Sequence, residues 1–560
     1  MTYAEKPWLK SYKVGPFKLP VTMAPYPEIS IYKFLEDSAA SYPDKVACVY
    51  LDKELTYPEL KLQVDKFATA LAGLGVKKGD KVATILPSCP QFIVVDYAIM
   101  RLGAVHVPMS ILHKAPEIEY ELAESGAETA ICSYRRLERI NAVKDRTKLK
   151  NVIYTPVPIW PDYEQPEMEE VPGAHLLEDL IEQHGPEPPE VVINPKEDLA
   201  LLPFTGGTTG VPKGTMLTHY NLTTNVIQSI QWMMKPLAAG IKGKAGALVC
   251  VPLYHQFGHW AVHAGISWGL TGYIVDPRDI DKIAEIVQKR RPFIVLGVPT
   301  HYMRLLPYPI PKMQVFFCSG AAALPPEVAI EFEKKIGIPL GEGYGMTETS
   351  PATHINISAL SKVTGYMKAS KKSVGVPLPD TEVNLIDPAT GEEVPFGEEG
   401  EIWVRGPQVM KGYWPEPGKG LQADGWIATG DIGKMDDDGY FYIVDRIKDM
   451  INVSGNKVYS RVVDDILHEH EAVSEGGVVG IPDPNRPGSE IVKAFIKLRE
   501  GATATGEDII NFCKEKLPPY AVPKSVEFRD QLPLTPVMKL LKRQLREEEI
   551  AKMKERGELK

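Results

Sequence analysis

Eleven residues, Phe204-Thr-Gly-Gly-Thr-Thr-Gly-Val-Pro-Lys-Gly214, gather glycines, hydroxyls and one lysine into a single short run. Gly206, Gly207, Gly210 and Gly214 let backbone N–H groups approach a polyanion closely, Thr205, Thr208 and Thr209 add hydroxyl donors, and Lys213 adds positive charge. A phosphate chain suits that composition. The spacing is not that of a Walker loop, which places lysine directly after its second glycine and then Ser or Thr. Here Pro212 precedes the lysine and Gly214 follows it. A plain surface loop is the competing reading, and the paired threonines between glycines, followed by Gly-x-Pro-Lys-Gly, argue against it.

A second run, Gly341-Glu-Gly-Tyr-Gly-Met-Thr-Glu348, ends on an acid. It is no dinucleotide fingerprint, because Met346 stands where a small residue would be required. Mg²⁺ prefers carboxylate and phosphate oxygens, so one glutamate beside a triphosphate loop is sufficient protein ligation. Further along, Trp426-Ile-Ala-Thr-Gly-Asp431 carries a carboxylate able to accept ribose hydroxyls. Ser319-Gly320-Ala321-Ala322 turns a strand end into a helix start, where open α/β sheets bind ligands.

Taken in order, these runs resemble the adenylate-forming superfamily, in its acyl-CoA synthetase branch and most like a medium- or long-chain fatty-acid–CoA ligase. Many members have serine where this chain has Gly206. The resemblance covers residues 44–546 and implies Mg²⁺, ATP and coenzyme A. It places Gly320, Ala321 and Ala322 beside adenine and Tyr344 stacked on it, with Gly343, Gly345 and Met346 in the same nucleotide site. Thr347 is implied at phosphate, Glu348 at magnesium, and Asp431 and Arg446 at ribose. Lys448 falls on the hinge position, Ser454 and Gly455 on the segment that contacts coenzyme A, and His255 near the reacting carboxylate. The helix after His255, with Gly258, Ala261, Ala264 and Gly265, matches the one lining the acyl pocket, although small residues can equally serve close packing.

Near the end, Leu532-Pro-Leu-Thr-Pro-Val-Met-Lys539 resembles the loop whose lysine bridges carboxylate and ATP. Family members usually have Ser-Gly before that lysine, and this chain has Val537-Met538. Without glycine, easy access to positive φ is lost, so the loop is expected to bend differently or to displace Lys539. Lys542, one helical turn later, is the rival cation, and Lys539 is favoured because the flanking Thr535-Pro536 and the Lys-Arg-x-Leu-Arg run from Lys542 align without a gap. Ser460 and Val462 also replace the proline and glutamate usual after the Ser454 segment.

The elements that must position these residues follow an α/β rhythm. Residues 31–40 and 56–74 read as helices, the second opened by Thr56. Residues 45–51, 81–86 and 104–108 read as strands, and a helix between the last two implies a parallel sheet. Residues 145–196 are dense in proline and acid and read as a surface connection with one short helix near 176–184. Residues 247–252, 293–299 and 315–320 continue the parallel rhythm, and from Ser373 the pattern turns β-rich. The expectation is a large N-terminal domain of parallel α/β sheets with a β-rich subdomain, residues 1–445, and a small mobile α+β domain, residues 446–560.

At 560 residues more than one core is expected, and the net charge of −10 argues against a general nucleic-acid or anionic-membrane face. The six cysteines are scattered without redox or metal-ligand spacing, which fits a reducing cytoplasm. The start lacks a secretory h-region, and no stretch approaches a membrane span of roughly 18 apolar residues. Peripheral membrane association and a homodimer stay open. The expected reaction joins a small-molecule carboxylic acid to AMP with release of pyrophosphate, then passes the acyl group to coenzyme A. The alternatives are an aryl-acid–CoA ligase, a luciferase-like oxygenase sharing the adenylation step, or a noncatalytic ATP-binding regulator. A peptide-synthetase unit would need a carrier domain, which is not expected here.

Overall fold

A computed structural model describes residues 2–169, 171–206, 211–311, 315–363, 373–535 and 538–559. Its largest sheet has nine strands, of which Val46–Tyr50, Thr271–Ile274, Gly246–Val249, Ile294–Gly297, Phe316–Ser319 and Leu340–Gly345 run parallel as neighbours. A seven-stranded sheet contains Leu199–Leu201, Val105–Pro108, Lys81–Ile85, Thr129–Ser133 and Asn151–Thr155, again parallel. Most of these strands are near-continuously apolar, as parallel sheets covered on both faces require, and the glycine-rich Leu340–Gly345 is the exception. The large domain expected to combine parallel α/β sheets with a β-rich part is therefore present. The β-rich part is an antiparallel sheet of Glu382–Ile386, Gly400–Arg405, Ile427–Met435 and Phe441–Arg446.

Two strands replace part of the expected surface connection. Asn151–Thr155 pairs with Thr129–Ser133 inside the seven-stranded sheet, and His175–Leu176 extends that sheet further. Val152 and Ile153 are fully buried. The apolar run is only a few residues long between a charged turn and a proline-dense stretch, so composition averaged over residues 145–196 masks it. The short helix falls at Leu177–Gln183, close to its expected place.

The helix Tyr57–Gly73 opens as the sequence suggests: Thr56 accepts from the Glu59 N–H while Glu59 accepts from the Thr56 N–H. Such a reciprocal cap satisfies donors that the first turn leaves free and is worth roughly 1 kcal/mol. The N-terminal arm is pinned by aromatic side chains. Tyr3 stacks on Phe396, Trp8 meets Phe441 edge-on and Tyr12 meets Trp232.

Beyond Arg446 the chain forms its own apolar clusters around Val478, Ala494, Ile496 and Ile509, and around Phe495, Leu545 and Met553. These sit on a three-stranded sheet, Val473–Pro482, Glu490–Leu498 and Ser525–Phe528, flanked by Ser460–Glu469, Gly506–Lys514 and Lys542–Glu555. This is the small α+β unit.

Candidate active site

A cavity of about 870 Å³ opens where the parallel strands of the large sheet end and the C-terminal loop approaches. Strands Phe316–Ser319 and Leu340–Gly345 deliver Gly320, Ala321, Gly343, Tyr344, Gly345, Met346, Thr347 and Glu348 to its wall. The glycine run is itself the strand Leu340–Gly345. Gly345 has no room for a side chain, because a Cβ there would lie 1.9 Å from the Pro351 carbonyl oxygen. That close approach folds Thr347–Thr349 into a tight turn aimed at the cavity. Ala321 adopts φ 63°, a left-handed conformation that costs roughly 1–3 kcal/mol outside glycine and that tends to be kept where backbone must face a ligand.

Asp431 and Arg446 face each other across antiparallel strands. Arg446 Nε lies 2.9 Å from Asp431 Oδ1, and the Tyr344 phenol donates to Asp431 Oδ2 at 2.7 Å. Asp431 raises the Arg446 guanidinium above its ordinary range, and burial followed by the Asp431 charge pushes the Tyr344 phenol well up. The trio is thus a fixed acceptor and donor set at one end of the cavity.

Thr205 and Lys213 occupy paired positions on the hairpin strands Phe204–Gly206 and Pro212–Gly214 and both line the cavity. Gly206 lies in the first of these strands, while Gly207, Thr208, Thr209 and Gly210 lie outside the described residues. Glu348 stands beside the hairpin, 6 % exposed, its Oε1 accepting from Thr205 Oγ1 at 3.5 Å and from the Tyr413 phenol at 2.7 Å. The Lys213 ammonium sits 5.2 Å from the centre of the same Tyr413 ring. Tyr413 joins the loop lysine to the acid, and no sequence signal marks it, since it reaches Glu348 only through the fold. A nearly buried carboxylate edging a glycine- and threonine-rich hairpin suits Mg²⁺ held jointly with phosphate oxygens.

The C-terminal lysines separate clearly. Lys539 lines the cavity, where burial, with Arg446 adding repulsion, pulls its ammonium down to about 7. Lys542 is instead tied to Asp464 at 2.6 Å and donates to Ser460 Oγ at 2.8 Å, away from the cavity wall. The expectation of a re-bent loop is corrected here. Met538 itself adopts φ 59°, so the left-handed turn survives without glycine. Its side chain is buried against the large core and its carbonyl accepts from Thr300 Oγ1 at 2.9 Å, contacts that offset the backbone strain.

His255 caps the helix Gln256–Ser267, its Nδ1 accepting from the Phe257 N–H at 3.3 Å. Burial, with Lys539 nearby, lowers the imidazole to about 4, which keeps it neutral near pH 7. Ala264 and Gly265 face the cavity, joined by Trp260, Ala261, Met233 and Ile230 in an apolar arm. Gly258 does not join them. A Cβ there would sit 2.2 Å from the Pro252 carbonyl oxygen, so this glycine packs the helix start against backbone.

Ala322 also stays out of the lining, one residue past the turn that presents Ala321. Ser454 and Gly455 form the exposed tip of the hairpin Ile451–Val453 and Asn456–Val458, away from the cavity. Lys448 lies in the turn Ile447–Asp449 that leaves the four-stranded sheet, and it does line the cavity. No described helix is long and apolar enough to cross a membrane.

Residues 35–414 match the family described as AMP-binding enzyme, and residues 462–539 match the AMP-binding enzyme C-terminal domain. A long-chain-fatty-acid–CoA ligase of Bacillus subtilis is 37 % identical over 98 % of both chains. A feruloyl-CoA synthase of Amycolatopsis sp. is 33 % identical over 88 % of this chain and 93 % of its own. Among solved structures, ATP-bound MatB from Rhodopseudomonas palustris superposes with a TM-score of 0.79 at 26 % identity, covering 93 % of this chain and 99 % of that one. With a full-length relative at this identity and its cavity built from the matched segments, the chain belongs to the AMP-binding enzyme family.

Proposed function

We propose that this protein is an ATP-dependent acyl-CoA synthetase acting on a fatty acid, with the phosphates at Thr205, Lys213 and Thr347 and the ribose at Asp431 and Arg446. The observation that carries the reading is one cavity walled by a phosphate hairpin, the Lys539 loop and an apolar arm. A carboxylate oxygen attacks the α-phosphorus, the bond to the β-phosphate oxygen breaks, and pyrophosphate leaves. Both reactants are anionic, so the task is to offset repulsion in a site sheltered from water. Lys539 and Lys213 supply cationic charge, and neutral His255 adds none that would compete for the carboxylate. Magnesium held at Glu348 would neutralise phosphate charge and orient the triphosphate.

In the second step the thiol of coenzyme A attacks the acyl carbonyl, the thiol proton goes to solvent, and AMP leaves. Lys539 has no role in that displacement. The Ser454–Gly455 hairpin belongs to the same small unit, and a turn about Lys448, with the domain boundary near residues 445 and 446, would exchange the lysine loop for the hairpin. The relationship to a long-chain-fatty-acid–CoA ligase and the apolar arm favour a fatty acid. An aryl acid is the second reading, favoured by the feruloyl-CoA synthase relationship and by Phe257 and Trp260 at the wall. Pyrophosphate release across fatty and aryl acids, with and without coenzyme A, tests both. Release that needs no acid would defeat the proposal, and a preference for aryl acids would select the second reading.

A further inference from the structure

His259 and His263 stand four residues apart on the helix Gln256–Ser267 and therefore share one face. They meet Asp96 from the helix Pro90–Arg101 and His106 from the strand Val105–Pro108, all at most 1 % exposed. None of these side chains lines the cavity. His259 Nε2 lies 3.0 Å from Asp96 Oδ1 and 3.3 Å from His263 Nε2, which in turn lies 3.4 Å from Asp96 Oδ2. Ligands on a tetrahedral ion with bonds of about 2.0–2.1 Å sit roughly 3.4 Å apart, so the two separations made by His263 Nε2 match a coordination face, while that between His259 and Asp96 is of hydrogen-bond length. The ligand atoms of Asp96, His106 and His259 all fall within 4.8 Å of one another, and His263 stands just outside that trio.

Hydrogen bonds from His106 and His259 to Asp96 Oδ1 satisfy much of the cluster but leave a contact between two imidazole nitrogens. Two imidazole nitrogens face each other while both face the same carboxylate, and His259 Nδ1 is buried with no partner among the described residues. Around the cluster stand the outer contacts that orient metal-binding histidines: the Tyr97 phenol at His263 Nδ1, 2.7 Å, and Thr84 Oγ1 at His106 Nε2, 2.7 Å.

We propose that Asp96, His106, His259 and His263 form a buried structural zinc site. Two histidines at i and i+4 on one helix face are a recurrent way of holding zinc, and a carboxylate from a second element completes such sets. His106 supplies the fourth donor when its Nδ1 gives up the proton it now shares with Asp96 Oδ1, 2.6 Å away, and the two atoms draw apart to ligand spacing. No net proton is released, because each neutral imidazole moves its N–H to the outer nitrogen. There His263 donates to Tyr97 and His106 to Thr84. Zinc fits better than magnesium, which prefers an all-oxygen shell. The ion would clamp two helices and a strand behind the helix that presents Ala264 and Gly265 to the cavity.

The test uses tag-free full-length enzyme, stripped with a chelator, reloaded with Zn²⁺ or Co²⁺ and freed of loose ion by gel filtration. The site predicts about one ion per chain, the intense visible bands of tetrahedral Co²⁺, and a rise in Tm on Zn²⁺ loading. His259→Gln and His263→Gln should each lose all three signals. Should either variant fail to fold, X-ray absorption of the zinc-loaded wild type decides, with imidazole scattering expected. Wild type that retains almost no zinc and shows no tetrahedral Co²⁺ bands overturns the site. So do sulfur scattering from the cysteines, or folded variants that bind zinc normally.

Discussion

Thr300 donates its hydroxyl to the Met538 carbonyl at 2.9 Å, which fastens the C-terminal lysine loop to the helix Pro299–Leu305 of the large domain. The next residue, Lys539, then faces the phosphate hairpin across the cavity. In the proposed two-step cycle, this contact would belong to the arrangement that serves adenylation.

Thr300→Val should remove the fastening while keeping the shape of the side chain. A net hydrogen bond is worth about 1 kcal/mol, so adenylate formation should slow roughly fivefold. Thioester formation from supplied acyl-adenylate should not change. Equal slowing of both half-reactions would mean that Thr300 serves folding instead.

Lys539 carries a pH prediction. Burial holds it down at about 7, against an unfolded lysine near its ordinary value. Between those values the unfolded chain binds the extra proton, so this group makes the free enzyme more stable as pH rises through that window. A bound triphosphate favours the ammonium and raises its pKa. ATP binding at pH 8 should therefore take up a proton, measured by calorimetry in buffers of different ionisation enthalpy. Lys539→Met should abolish the uptake, and uptake that persists in that variant would assign it elsewhere.

The sequence made much of this arrangement legible, because the glycine- and threonine-rich hairpin, Tyr344 with Glu348, and Asp431 each lie in short runs that the fold brings to one cavity. What it concealed depends on three-dimensional approach. Tyr413 reaches Glu348 from a turn 65 residues away. Gly258 looks like a pocket glycine until the Pro252 carbonyl is seen against it. Met538 occupies a conformation that its side chain argues against, because tertiary contacts hold it there. The strand Asn151–Thr155 was masked by the prolines that follow it, and the meeting of Asp96 with three histidines draws on segments far apart in the chain.

Tyr413→Phe should leave the cavity wall intact while freeing Glu348 from its closest donor. Loss of such an orienting contact typically weakens metal binding by about 10-fold or more. The Mg²⁺ concentration for half-maximal pyrophosphate release should rise accordingly, with little change at saturating Mg²⁺. An unaltered Mg²⁺ dependence would remove Tyr413 from that role.

Gly265 lines the apolar arm, and a Cβ there meets no atom of the described residues within 4 Å. Gly265→Trp should therefore fold, and its ring should shorten the longest acid accepted without altering the ATP requirement. Each methylene denied burial costs about 0.8 kcal/mol, or roughly fourfold in kcat/KM. A chain-length profile identical to wild type would place the acyl chain elsewhere.

The most direct test of the two-step account is a single-turnover comparison of both half-reactions in wild type, Lys539→Ala and Lys542→Ala. Lys539→Ala should slow acyl-adenylate formation roughly 10²-fold or more, the scale of losing one transition-state charge contact. It should convert supplied acyl-adenylate to acyl-CoA at near the wild-type rate. Lys542, engaged with Asp464 and Ser460, should affect stability more than either chemical step. Normal adenylation by Lys539→Ala, with or without a collapse in Lys542→Ala, would contradict the account.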